Sequence, residues 1–523
     1  MRYSGEPPPA RFNMARYCLG RAAARTPGKT ALIVVRDAEA PLAAAEHWSY
    51  GQLDDAARRV AAGLLALGLS AGDRLMIRIP NTSDYAVLFF GAIAAGIVPL
   101  PVSQQLTATE VEFLLADSDA AAIAISGGLA MPALPPSVKL LDADRIRALK
   151  AASPLPDYAD TSADDPAFVI YTSGTSRQPK GVLHAHRSAW GRRPMYAGWS
   201  GMAERDVVLH AGAFNWTYTL GVGLTDPWAN GATAVLYNGA TDPQAWPKLI
   251  QRTGATLFAA VPSLYRQILK YCPLASDELA TLRHGLAAGE ALSPALLAAW
   301  RARTGREIYE ALGMSECSTY VSNTPGMTLR PGSPGKPQPG RAVAILPRDG
   351  GAAPLPAGET GLLAIHRSDP GLMLGYWRRP AEEALVYRGD WFVGGDLAAF
   401  DADGYLWYHG RADDLMNAGG YRVSPAEVEA AIADHPSVAE VAVAEHAVRP
   451  DVTVIAAFVV SREGAARDAA AILAHAEQRL AAYKRPREVI FLDSLPRTAN
   501  GKLLRRALGG TETAPPACRI GQP

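Results

Sequence analysis

Strand-like and helix-like runs alternate along most of this chain, and that alternation limits it to layered α/β architectures. Residues 54–67 (DDAARRVAAGLLAL) place apolar side chains at helical spacing, and 73–79 (DRLMIRI) then alternate as a strand does. The pattern continues to about residue 310, with strand-like runs at 167–171 (AFVIY), 207–211 and 232–237. Such alternation predicts largely parallel sheets covered by helices. After residue 325 the texture changes. Segment 328–341 (TLRPGSPGKPQPGR) is too rich in Pro and Gly for anything but loop, and short strands at 362–366 and 404–408 predict a small β subdomain. The C-terminal part reads as a separate unit: strands at 438–444 and 452–460, a helix over 466–482 and a strand at 487–492. The expected fold is α/β: a large N-terminal domain of layered α/β subdomains plus a small β subdomain over 1–412, a small α+β C-terminal domain over 413–508, and a disordered tail over 509–523.

Charge excludes some partners. Lys+Arg and Asp+Glu are both 51, so neither nucleic acid nor an anionic membrane is expected. Cys18, Cys272, Cys317 and Cys518 are far apart and lack metal-ligand spacing, which predicts free thiols and a cytoplasmic setting. The N-terminal MRYSGEPPPARF has no apolar core of a secretory signal. Residues 85–102 (YAVLFFGAIAAGIVPLPV) are apolar enough to raise the question of membrane insertion. Gly91, Gly96, Pro99 and Pro101 interrupt the run, which therefore reads as a buried helix leading into a buried strand.

The strongest local signal is YTSGTSRQPKG (171–181), just after the AFVI strand. Gly174 permits close approach to a polyphosphate, Thr172, Ser173, Thr175 and Ser176 supply donors, and Lys180 supplies charge. Pro179 before the lysine excludes a Walker A loop. A Ser/Thr-rich surface turn is the plainer alternative for this segment taken alone.

Four further segments stand in order behind it: AAGEALSP (287–294), YEALGMSE (309–316), GGDLAAFDADGYLWYHGRADDLMNAGGYRVSPAEVE (394–429) and LPRTANGK (495–502). Together the five resemble the motifs of the adenylate-forming superfamily, which includes acyl- and aryl-CoA ligases, luciferases and peptide-synthetase adenylation domains. The resemblance implies an enzyme that activates a carboxylic acid with ATP through an acyl-adenylate and passes the acyl group to coenzyme A. It implies that Glu316 binds Mg²⁺, Ser315 contacts the α-phosphate, and Gly289, Glu290, Ala291, Glu310, Ala311, Leu312, Gly313 and Met314 line the adenine and ribose site. Asp396 and Arg411 would hold the ribose, and Lys502 would bridge carboxylate and nucleotide. It also implies a mobile C-terminal domain pivoting at Asp413, with Gly419, Gly420 and Arg422 facing the CoA arm. Arg177, where relatives have glycine, and Leu312, where many have an aromatic residue, depart from the pattern.

The acid is less legible. His210, Phe214, Trp216 and Tyr218 fall where the family's acyl pocket begins, and rings packing between sheets is an equal alternative for each. Gly313 stands where acetate-type relatives carry tryptophan, which predicts open space for a larger acid. The N-terminal FNMARYCLGRAAARTPGKTAL and GMSECSTYVSN are similar to benzoate-CoA-ligase-like and medium-chain acyl-CoA synthetases, implying an aromatic, alicyclic or medium-length acid. The family also admits a homodimer. Competing readings are loading of a separate carrier protein, a non-catalytic nucleotide binder, and a luciferase-like oxygenase.

Overall fold

Ser49 starts the first long helix, Tyr50–Ala66, through a reciprocal cap. Its hydroxyl accepts from Gln52 N, and the Gln52 side chain accepts from Ser49 N at 2.8 Å. The apolar face of this helix packs on the helix Ser83–Ala94, which continues through a turn into the strand Val98–Pro101. The apolar run at 85–102 is therefore a buried helix and strand of a protein core. No helix among the described residues is long and apolar enough to cross a membrane. The computed structural model describes residues 1–172, 179–240, 242–274, 278–412, 416–418, 421–449, 452–480, 484–497 and 503–508.

These residues fall into two compact units. The first holds Met1–Ala344, Ala364–Phe392 and Gly404–Leu406; the second holds Ile345–Leu363, Val393–Asp403 and the chain from Trp407 onward. The first unit is built on a nine-stranded sheet. Its centre is parallel, in the order Ile308–Met314, His284–Ala288, Leu257–Ala260, Val207–His210, Thr233–Tyr237 and Thr30–Val35. Antiparallel strands Ser318–Ser322 and Glu46–Ser49 flank it. Side chains alternate between its faces: Leu209, Phe258 and Ala287 pack with Tyr265 and Trp300, while Val208, Leu257, Ala259 and Leu286 pack with Trp199 and Tyr218. A second, four-stranded parallel sheet (Val98–Pro101, Arg74–Arg78, Ala120–Ile125, Lys139–Leu141) and a three-stranded antiparallel sheet (Gly375–Tyr376, Lys180–Ala185, Pro166–Thr172) complete it. The Pro/Gly-rich 328–341 is loop apart from the two-residue strand Lys336–Pro337.

In the second unit, Val438–Arg449 pairs antiparallel with Val452–Ser461, which runs parallel to Glu488–Phe491. The helices Pro425–Ala433 and Ala469–Glu477 supply Val428, Ile432 and Ile472 to its core. The second helix is shorter than the expected 466–482. It starts where the Asp468 carboxylate accepts from Ala471 N at 3.0 Å.

Gly91 marks the tightest point between the two long helices. A Cβ there would stand 2.9 Å from Ala57 O and 2.7 Å from Val60 Cγ1. Gly91→Val must push the helices apart, so we expect a loss of about 1–3 kcal/mol, read as a lower thermal midpoint. An unchanged midpoint would contradict this close packing.

Candidate active site

Lys180 opens the strand Lys180–Ala185, directly across the ladder from Thr172. Its ammonium pairs with Glu382 and lies 5.3 Å from the centre of the Tyr376 ring. Tyr376 is held by strand pairing to Val182, and Gly181 O accepts from Trp377 N at 2.7 Å. The Tyr376 hydroxyl donates to Glu316 Oε1 at 2.7 Å, and Glu316 O accepts from Met373 N at 2.7 Å. Thus Lys180 and Glu316, 136 positions apart, meet around one tyrosine ring. Ser173, Gly174, Thr175, Ser176 and Arg177 lie outside the described residues.

The turn carrying Glu316 is fixed from behind. Ser318 adopts φ +65°, a backbone conformation that costs a non-glycine residue about 1–3 kcal/mol. Its hydroxyl accepts from Arg192 Nη1 at 2.6 Å, and Arg192 forms a buried bidentate pair with Asp226 at 2.6 and 2.7 Å. His184 is hydrogen-bonded to the Ser315 backbone and stacks on Phe168 with ring centres 4.6 Å apart. None of Tyr376, Glu382, Arg192, Asp226 or His184 stood out in the sequence. Each acts through a partner far along the chain, and no local spacing announces that.

The nucleotide-side residues emerge at the C-terminal ends of neighbouring parallel strands, where ligands bind in open α/β sheets. Gly289 has φ +90°, and it and Ala291 are exposed. The Glu290 carboxylate accepts from Ser263 N at 3.2 Å and from its hydroxyl at 3.1 Å. Leu312, Met314 and Ser315 are half-buried, and Ala311 is buried. Glu310 is buried and accepts from Leu292 N at 2.9 Å. Burial pushes its carboxyl up to about 7, and that backbone donor only partly opposes the shift.

Of the acyl-side aromatics, Trp216 comes nearest the nucleotide residues: its Cζ3 is 3.6 Å from where a Gly289 Cβ would stand. Tyr218 and Phe214 are buried, and the Phe214 carbonyl accepts from the Tyr85 hydroxyl at 2.7 Å. His210 is buried beneath Tyr218, their ring centres 5.1 Å apart. Gly313 is exposed, and a Cβ there would lie 2.3 Å from Ser318 O, so a larger side chain at this position would have to displace the neighbouring strand.

In the second unit the strand Leu406–Arg411 brings Asp396 and Arg411 together. Asp396 accepts from the Tyr408 hydroxyl at 3.2 Å and faces Arg411 Nη1 at 3.7 Å, while Arg411 Nη1 donates to Gly394 O at 2.8 Å. Arg422 lies in the short strand Tyr421–Val423, opposite Asn417. Asp413, Gly419, Gly420 and Lys502 fall outside the described residues, as does the side chain of Arg422.

Glu310 generates a pH prediction. Its folded value lies above the ordinary 4.5, so between those values the fold holds more protons than the unfolded chain, and this group's contribution to stability falls as pH rises. Glu310→Gln should therefore be more stable than the parent at pH 8, by up to roughly 3 kcal/mol, read as a higher thermal midpoint, with the gain shrinking toward pH 5. A gain independent of pH would place the cause elsewhere.

Comparison with known proteins agrees with this geometry. The AMP-binding enzyme family matches residues 19–377, and the AMP-binding enzyme C-terminal domain matches 427–502. The benzoate–CoA ligase of Thauera aromatica is 33% identical over 532 aligned residues, covering 96% of this chain and 97% of that protein. The mitochondrial acyl-coenzyme A synthetase ACSM5 of Mus musculus is 32% identical over 89% of this chain and 84% of its own length. Among solved structures, the anthranilate CoA ligase AuaEII in complex with anthranoyl-AMP aligns with TM-score 0.85 at 28% identity, covering 96% of this chain and 97% of that one. A benzoate CoA ligase from Burkholderia xenovorans LB400 aligns with TM-score 0.85 at 31% identity, covering 95% and 100%. With both family domains matched in order over a fold of this kind, the chain belongs to the AMP-binding enzyme family and is an AMP-forming acid–thiol ligase.

Proposed function

We propose that this ligase joins an aromatic, alicyclic or medium-length carboxylic acid to coenzyme A in two steps through an acyl-adenylate. The observation that carries the reading is the meeting of Glu316, Tyr376 and Lys180 beside the strands that bracket the phosphate-loop sequence. A carboxylate oxygen attacks the α-phosphorus of ATP, the bond to pyrophosphate breaks, and a mixed anhydride with AMP results. The thiol of CoA then attacks the carbonyl carbon and AMP leaves. Both steps depend on charge placed where the phosphates develop it.

Glu316 suits Mg²⁺. Tyr376 occupies only Oε1, and Mg²⁺ is usually held by one or two carboxylates together with substrate phosphates. Such an ion would offset phosphate charge that Lys180 alone does not balance. Asp396, with acceptor oxygens beside Arg411, suits the ribose hydroxyls. Lys502 carries the adenylation charge in this reading, Asp413 is the pivot of a mobile domain beginning near 413, and Gly419, Gly420 and Arg422 meet the CoA arm. The C-terminal family match, beginning at residue 427, is in keeping with that boundary. A cytoplasmic setting belongs to the same proposal.

The preference for a cyclic acid rests on the rings of Trp216 and Tyr218 over a floor that includes Ala259, Ala288 and Ala311. It also rests on relatives named for benzoate and anthranilate. A panel of acids tested for pyrophosphate release, with and without CoA, decides the matter. CoA-dependent thioester supports the reading, and adenylate formation that CoA does not consume would favour a carrier protein as acceptor.

Two variants test the parts. Lys502→Ala should slow adenylation by about 10²–10⁴-fold while thioester formation from pre-made acyl-adenylate is spared. Equal loss in both half-reactions would assign the lysine to folding. Tyr376→Phe removes one hydrogen bond on Glu316 and should raise the Mg²⁺ concentration needed for half-maximal adenylation by about tenfold. An unaltered Mg²⁺ response would separate Glu316 from the metal.

A further inference from the structure

His210 ends the strand Val207–His210 with a side chain buried to 3% exposure, and among the described residues neither of its ring nitrogens has a hydrogen-bond partner beyond its own backbone. The other buried histidines each have a contact at one ring nitrogen, although Nε2 of His184, Nε2 of His186 and Nδ1 of His446 are unpaired. His186 Nδ1 accepts from Met14 N at 3.1 Å, His284 Nε2 contacts Ser200 O at 2.9 Å, and His184 bonds the Ser315 backbone. His366 Nδ1 meets the Ser368 hydroxyl at 2.8 Å, and His446 faces Glu488 at 3.8 Å. A buried polar group left unpaired costs about 1–3 kcal/mol, more than a protein ordinarily leaves unrecovered.

The surroundings show where the missing partner would come from. Tyr218 crosses the imidazole edge-on but turns its hydroxyl away, toward Ala260 O at 3.3 Å and Leu286 O at 3.4 Å. Glycine lets the backbone close on this histidine: a Cβ at Gly212 would sit 2.8 Å from Thr219 Cγ2 and 3.1 Å from His210 Cε1, and one at Gly223 would sit 2.7 Å from Phe214 Cε1 and 3.4 Å from His210 Cβ, so a substituent reaching the ring must move these neighbours. Strand register puts His210 in one row with Ala259, Leu286 and Tyr309. Two residues further along, the same face carries Ala288 and Ala311, and the next residue after Ala288 is Gly289, against which Trp216 rests. The unpaired ring thus lies on the sheet face, and at the sheet end, assigned above to the acyl group.

Its chemistry narrows the class. Burial pushes the imidazole down to about 3, so at neutral pH the ring offers one N–H and one lone pair and carries no charge. Among the described residues, no charged group shifts it. A second carboxylate or an ammonium brought here would be buried without a counter-charge.

We propose that His210 is a specificity-determining residue that hydrogen-bonds an uncharged hydroxyl or amino substituent carried by the acid. This rests on the acid–CoA ligase reading, and a failure of that reading is recognisable separately, as the absence of turnover with any acid. The full chain is assayed for CoA- and ATP-dependent thioester formation with benzoate and hexanoate, each against its hydroxy and amino derivatives. At least one substituted acid should exceed its unsubstituted parent in kcat/KM by about tenfold or more, the worth of one hydrogen bond plus an unpaired group avoided. His210→Phe should abolish that preference. His210→Gln, which can still donate and accept, should retain it. Wild-type enzyme that favours no substituted acid overturns the proposal, whether or not the phenylalanine variant folds. So does a His210→Phe enzyme with an unchanged ratio between the acids, which would mean that the ring is answered by a bound water only.

Discussion

Two buried arginine–carboxylate pairs hold the segment around Glu316, and the site depends on them. Arg192 grips Asp226 with two hydrogen bonds and reaches Ser318 with a third nitrogen. Arg341 and Asp369 are 0% and 1% exposed at the side chain, and Arg341 also donates to Gly191 O at 2.6 Å and Gln338 Oε1 at 3.0 Å. Removing these charges from water costs several kcal/mol per ion, and only full pairing offsets it. Losing one partner would leave an uncompensated charge inside the protein, at a cost of about 3–5 kcal/mol. Such pairs contribute little as bulk adhesive. They select one arrangement, in which Ser318 is held at positive φ and Glu316, two residues before it, meets Tyr376.

That arrangement places chemistry at a sheet end. The parallel strands Leu257–Ala260, His284–Ala288 and Ile308–Met314 deliver Ser263, Gly289, Glu290 and Ser315 just beyond their C-termini, and Val207–His210 delivers the aromatic segment beside them. Backbone amides and exposed glycine are then available without breaking the ladders below. The antiparallel strand Gly375–Tyr376 adds the tyrosine from another sheet, so the acidic residue and the lysine meet through a third segment.

The alternation of strand and helix, the buried nature of 85–102 and the five motifs were legible because each is written in neighbouring residues: apolar period, glycine where the backbone must turn, hydroxyls beside them. Gly289 adopts φ +90°, a conformation that favours glycine. What was illegible is non-local. Tyr376 reaches Glu316 across 60 positions, and Arg192 reaches Ser318 across 126. The close approach of Ser318 O to Gly313 is non-local in the same way, since that carbonyl belongs to a strand whose bulge no local pattern encodes. Even element lengths follow this rule. Val438–Arg449 runs past the expected end at 444 because Glu445, His446 and Ala447 find partners on Val452–Ser461.

Two ionisable side chains, on opposite faces of this sheet with two strands between theirs, are denied their charges by burial. Glu310, at about 7, holds its proton well above the usual carboxylate range, and His210, at about 3, sheds its proton well below the usual imidazole range. The two differ in how they are answered. Glu310 has the Leu292 amide, so its polarity is partly spent within the fold. Among the described residues, His210 has nothing but its own backbone. Low polarity on that side strengthens any hydrogen bond formed there and penalises any charge brought in. In the proposed reading a charged carboxylate would therefore stay toward Lys180 and the glycines, with only the uncharged body of the acid entering over the alanines. The same dehydration that makes the histidine costly when alone would then orient the substrate for attack on the phosphate.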